Sequence, residues 1–221
     1  VSDLSLTSLE VAVFDWDNTL AMSRGALVCS VNKVLAEFGL DDWDKVQHLR
    51  DRNLSFRDNF PRIFGSRSEQ AYARYREVYR ENVASLIKAP EMAVEVLRYL
   101  QNKGIENIIV SNKDRLLLDF ELPLLYDRTL FSRIVCGHEA KRDKPYPEQL
   151  WYGVDGLVSK VSTDNVWMIG DSPMDSNCAL SAGAKAIRIG LPIWGCDDVC
   201  EKQKEILFFA DFVDFYRAIT E

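Results

Sequence analysis

Short apolar runs of strand length recur along the chain, and they constrain its fold more than any other feature. They are LEVAVF closing near Phe14, ENIIV closing at Val110, RIVC closing at Cys136, NVWMIG closing near Gly170 and AKAIRIG closing near Gly190. Turn residues bound each run, and helical patterns separate most of them. The clearest helix is APEMAVEVLRYLQNKG: Pro90 sits near its start, Val94, Leu97 and Leu100 recur at helical spacing, and Gly104 closes it. DSNCALSAGA reads as another, entered from the turn at Ser172 and Pro173. Strand alternating with helix predicts an α/β chain built on a parallel, doubly wound sheet. With 221 residues, 47% of them hydrophobic, the chain can bury a core of that kind.

The spacing of the runs is uneven. Roughly ninety residues separate the first strand from the second, where a simple crossover needs about a dozen. Within that gap the chain turns helical and charged, through GALVCSVNKVLAEFG, a middle section around WDKVQHLRDRN, and SEQAYARYREVYRENVASLI. The expectation is an inserted all-helical cap at 22–89, with 1–21 and 90–221 forming the core. Tyr72, Tyr75 and Tyr79 fall three and four apart, a stripe read as helix packing rather than ligand stacking. At the far end, ADFVDFYRAI predicts a short loop and an amphipathic closing helix.

Charge and cysteine usage narrow the function classes. Lys and Arg total 27 against 34 Asp and Glu, a formal charge of -7, so the overall field repels nucleic acid and anionic membrane surfaces. No apolar run approaches the roughly 18 residues that span a bilayer, and the first residues lack the basic-then-apolar order of a secretory signal. Cys29, Cys136, Cys178, Cys196 and Cys200 are scattered and odd in number, which predicts free thiols in a reducing compartment. GCDDVC offers two thiols, but the histidines, His48 and His138, stand isolated, and zinc needs about four ligands. A cytoplasmic chain is expected.

Parallel sheets bind ligands outside the carboxyl ends of their strands, where the topology switches direction. Asp15 and Asp17 end the first strand, Ser111 and Asn112 the second, and GDSPMD, with Asp171 and Asp175, ends the fourth. RDKPYPE carries Lys144 between the third and fourth. Taken singly, each has an ordinary explanation as a helix cap or turn residue. Together they place like charges that repel unless something positive sits among them. Residues two apart in an extended segment project to one side, so Asp15 and Asp17 form a pair while Trp16 points into the fold.

DWDNTL, VSN, KPYP and GDSPMD, in that order from Asp15 to Asp175, resemble the four motifs of the haloacid dehalogenase superfamily, specifically its phosphoglycolate-phosphatase-like phosphatases. That resemblance implies a Rossmann-like core, with the helical insertion in the position of the family's first-type cap. It implies that Asp15 is a nucleophile forming an aspartyl-phosphate and that Asp17 protonates the leaving alcohol and then activates water. It further implies Mg²⁺ held by Asp15, Asp17 through its backbone carbonyl, Asp171 and Asp175. Asn18, Ser111, Asn112 and Lys144 are the implied phosphate-binding residues. Dehalogenating members lack the second aspartate of the first motif, so Asp17 points away from that branch. Asn18 stands where the family often has Gly, and Asn tolerates the backbone angles such a loop requires.

The expected substrate is a small phosphorylated metabolite, with a phosphomutase or a non-catalytic phosphate-binding module as alternatives. Among Arg24, Arg50, Arg52, Arg57 and Arg62, one or two are expected to meet a second anionic group and the rest to be solvated. His48 and His138 are read as structural or exposed, outside the site.

Overall fold

The computed structural model describes residues 4–51, 53–190 and 205–221. Six strands form one fully parallel sheet: β1 (Val11–Phe14), β2 (Glu106–Val110), β3 (Arg133–Val135), β4 (Val166–Gly170), β5 (Lys185–Ile189) and β6 (Ile206–Phe209). The order is β3-β2-β1-β4-β5-β6. The chain thus builds outward from β1 in one direction, then crosses back to β4 on its other side. β1 and β4 flank the crevice that this reversal opens.

Nine α-helices lie among the described residues. Five precede β2, and four of these lie in the insertion: α1 (Arg24–Glu37), α2 (Trp43–Val46), α3 (Phe60–Phe64) and α4 (Ser68–Leu86). The others are α5 (Ala93–Asn102), α6 (Arg115–Leu125), α7 (Glu148–Val154), α8 (Pro173–Ala182) and α9 (Phe212–Thr220). The sheet is buried on both faces, and the strands alternate between two cores, as a period of two requires. Phe14, Ile109, Trp167 and Ile169 face α5, α6 and α9; Val11, Val13, Ile108 and Met168 face α7 and α8. The helical insertion sits on the first side, where α4 packs against α6.

The five strands expected from the apolar runs are present, with the third closing at Val135, one residue early. β6 was not among them. It is a four-residue edge strand, partly exposed at three positions, and so lacks the continuous apolar signature of a strand covered on both faces. α9 forms as expected, its Asp211 side chain accepting from the Asp214 amide at the N-terminus.

The tyrosine stripe does pack: Tyr75 and Tyr79 are buried and their ring centroids lie 5.5 Å apart. Cys29, Cys136 and Cys178 are free thiols. Arg52, Trp194, Cys196 and Cys200 lie outside the described residues. No described helix is long and apolar enough to cross a membrane.

Candidate active site

The turn after β1 carries Asp15, whose amide continues the sheet by donating to the Ile169 carbonyl at 2.9 Å. β4 ends in Gly170, and Asp171 and the first turn of α8 follow directly. A side chain at Gly170 would place its Cβ 2.3 Å from Asp175 Cγ, so glycine is what lets Asp175 lie against the strand end. Asp175 is further fixed by a capping box with Ser172, whose amide and hydroxyl donate to Oδ2 at 3.0 and 2.6 Å. Carboxylate oxygens of Asp15, Asp171 and Asp175 lie within 4.8 Å of one another, and all three residues are buried.

Lys144 reaches this cluster from the loop between β3 and α7. Its Nζ donates to Asp15 Oδ1 at 2.6 Å and to Asp175 Oδ1 at 2.7 Å, with 4% of the residue exposed. Burial pushes the Asp15 carboxyl up to about 7, with Lys144 opposing the rise and the charge of Asp175 adding to it. Asp171 is raised well above the ordinary carboxylate range, again by burial first and then by Asp175 and Asp15. Burial disfavours the Lys144 ammonium, but the two aspartates more than offset this and raise it.

These residues fit a hard divalent cation. When ionised, three buried carboxylates against one ammonium leave two negative charges uncompensated, and the donor set is all oxygen. No arrangement of His or Cys among the described residues competes for that position.

The remaining residues expected at the site divide. Ser111 and Asn112 lie after β2 and line the same cavity as the aspartates. Asn112 clamps Lys144: its Nδ2 donates to the Lys144 carbonyl at 2.7 Å and its Oδ1 accepts from the Lys144 amide at 3.0 Å. Its side chain therefore positions the lysine loop. Asn18 has φ of 59°, its amide donates to the Ala21 carbonyl at 2.7 Å, and its Oδ1 accepts from the Arg24 amide that opens α1. That amide is engaged within the turn, the side chain anchors the start of the insertion, and the residue lines the same cavity as the aspartates.

Asp17 stands apart from the three buried aspartates, at the cavity rim, with 31% of its side chain exposed. Its Oδ1 accepts from Ser23 Oγ at 2.5 Å and from Lys113 Nζ at 2.7 Å. Lys113 also pairs with Glu121 at 2.9 Å and donates to Tyr79 Oη at 3.2 Å. Burial disfavours the Lys113 ammonium, but Asp17 and Glu121 raise it well above the ordinary lysine value. Burial also raises Glu121, against the pull of Lys113. Sequence reasoning missed this group. A signal existed: Glu121 occupies the buried face of α6 in phase with Leu117, Leu118 and Leu122, where a charge demands a partner.

The insertion covers the cavity, which has a volume of about 160 Å³. From the insertion come Arg50, Phe56, Arg57, Tyr72 and Tyr75, so two tyrosines of the stripe line the cavity as well as pack. Of the five arginines considered, Arg50 and Arg57 reach it; Arg62 donates to the Leu49 carbonyl on the surface. Arg57 Nη2 lies 3.3 Å from Asp143 Oδ2, next to Lys144, and so joins insertion to core. His48 is exposed, with Nδ1 2.6 Å from the Lys45 carbonyl. His138 is exposed too, its Nε2 3.3 Å from Asp58.

Comparison with known proteins gives the chain's family and fold relatives. Residues 12–189 match the family described as haloacid dehalogenase-like hydrolase. The chain is 24% identical over 187 residues to pyrophosphatase PpaX of Bacillus mycoides, covering 85% of this chain and 86% of that protein. A predicted phosphoglycolate phosphatase from Haemophilus somnus 129pt has a TM-score of 0.79 at 20% identity, covering 98% of this chain and all of the other. CbbY from Rhodobacter sphaeroides in complex with phosphate has a TM-score of 0.76 at 15% identity, covering 94% and 96%.

Proposed function

The chain belongs to the haloacid dehalogenase-like hydrolases, and from that premise we propose that it is a Mg²⁺-dependent phosphatase of small phosphomonoesters. The observation that carries the reading is Lys144 bonded to both Asp15 and Asp175 beside Asp171, at the crevice between β1 and β4. Structural caps do not converge in this way, because each added carboxylate raises the cost of the next.

Asp15, Asp171, Asp175 and the Asp17 carbonyl would hold the cation, which supplies charge neutralisation for the carboxylates and for the phosphoryl oxygens. Lys144 holds Asp15 by Oδ1 and so orients its carboxylate for attack on phosphorus. The bond from Asp15 to phosphorus forms as the bond to the leaving oxygen breaks, and Asp17 gives that oxygen its proton. Asp17 then takes a proton from water, which attacks phosphorus and releases Asp15, so ester and water become alcohol and phosphate. Ser111 and Lys144 stabilise the transferring group. The insertion acts as the cap: Arg57, Tyr72 and Tyr75 cover the cavity over the substrate, and access beneath a cap favours a small body.

Phosphate release from an aryl phosphate and a panel of phosphorylated metabolites, with and without Mg²⁺, tests this reading. Inorganic pyrophosphate belongs in the panel because the Bacillus relative is named a pyrophosphatase. Turnover that requires Mg²⁺ and falls to background in Asp15→Asn is expected. Activity in Asp15→Asn equal to native would remove the nucleophile assignment, and isomerised sugar phosphate without free phosphate would replace hydrolysis with mutase chemistry.

A further inference from the structure

We propose that Lys113 is a positioning residue that ties Asp17 to the cap through Tyr79, so that the proton carrier is set in place only when the cap helix is seated. This rests on the proposed phosphatase reading. Lys113 follows the second motif directly and lines the same cavity as Lys144, but its ammonium meets Asp17, Glu121 and, from the cap, Tyr79. That ammonium donates to Asp17 Oδ1 at 2.7 Å and to Tyr79 Oη at 3.2 Å, and forms an ion pair with Glu121 Oε1 at 2.9 Å, three oxygens from three segments. The ammonium also lies 4.8 Å from the centroid of the Tyr79 ring.

The three partners differ in what anchors them. Glu121 is fully buried on α6, and its Oε2 accepts from Trp16 Nε1 at 2.6 Å. Trp16 lies between Asp15 and Asp17, so Glu121 holds the catalytic loop both through the indole and through Lys113. Tyr79 belongs to α4, in the cap. Asp17 is the most exposed of the three. A shift of α4 removes the Tyr79 oxygen and leaves Lys113 drawn to the immobile Glu121, which alters where Asp17 is held. Ser23, which also bonds Asp17 Oδ1, sits at the entrance to α1, in the same insertion.

The test uses the full chain with Mg²⁺ and the variants Lys113→Met, Tyr79→Phe and both together. Steady-state rates are measured on p-nitrophenyl phosphate and on an alkyl ester, glycerol phosphate. A misplaced proton carrier costs about 100-fold where positioning matters, and an aryl oxide leaves without help. Lys113→Met is therefore expected to lower kcat by ~10- to 100-fold on the alkyl ester, less on the aryl ester, with KM little changed. Tyr79→Phe should show a smaller loss of the same pattern, and the double variant should match Lys113→Met alone. Equal losses on both esters, a change confined to KM, or additive effects overturn the proposal.

Removing Lys113 strands a buried carboxylate, so Lys113→Met is repeated in a Glu121→Gln background, where that charge is gone. Melting temperatures of the same set give a readout independent of turnover. Non-additive shifts for Lys113 and Tyr79 are expected, and independent shifts sink the link even if the chain hydrolyses no ester. Absence of Mg²⁺-dependent turnover in the native chain, by contrast, counts against the phosphatase reading alone.

Discussion

Lys144 is a cation placed where three carboxylates meet, and its neighbours show why placement outweighs identity. Asn112 holds its backbone from both sides, while Asp15 and Asp175 hold its ammonium. Asp15 and Asp171 hold their protons more tightly in the fold than in the unfolded chain. A carboxyl raised in this way stabilises the fold when protonated, and that contribution is lost as pH rises from the unfolded value near 4 through the folded one. A divalent cation competes with those protons, so its stabilising effect runs the other way. Mg²⁺ should therefore raise the melting temperature more at pH 8 than at pH 5, as thermal scans across that range would reveal. A Mg²⁺ shift independent of pH would separate the cation from these carboxylates.

At the scale of elements, the junction of β4 and α8 is the tightest part of the site. Gly170 ends the strand with no room for a Cβ, and three residues into α8 Asp175 closes the capping box. Gly170→Ala forces Asp175 away from Lys144. The expected cost is about 1–3 kcal/mol by urea denaturation, typical of overpacking, together with weaker Mg²⁺ binding by calorimetry. Retention of both would show that the strand end relaxes. α6 illustrates what pattern alone leaves unread. Its buried face runs Leu117, Leu118, Glu121, Leu122, and the periodicity identifies the glutamate's position without identifying its partners. Those partners come from residues 16 and 113, brought together by the fold.

Across the whole molecule, the insertion and core meet over the crevice between β1 and β4. Arg57 of the insertion pairs with Asp143 of the core beside Lys144, in a partly buried position. A pair of this kind is worth about 1 kcal/mol, a factor of ~5 in the population of the closed form. Arg57→Ala should raise KM by about that factor or more, since the residue also lines the cavity. Kinetics showing an unchanged KM would place closure elsewhere.

Legible in the sequence alone were the parallel sheet, the inserted helices, and the residues beyond the strands' carboxyl ends: Asp15, Ser111, Lys144, Asp171 and Asp175. Periodicity and strand termination are local properties, and the rule that ligands meet strand ends converts them into a site. It took the fold to show that Asn112 anchors the Lys144 loop, that Asp17 is bound to Lys113, and that Tyr79 and Glu121 belong to the same group. The hydrogen bonds among these residues join positions from 32 to 105 apart, and no local pattern encodes which distant charge a buried charge will meet. β6 escaped notice for a related reason: an edge strand is defined by the neighbour it pairs with, and β5 is supplied by the fold.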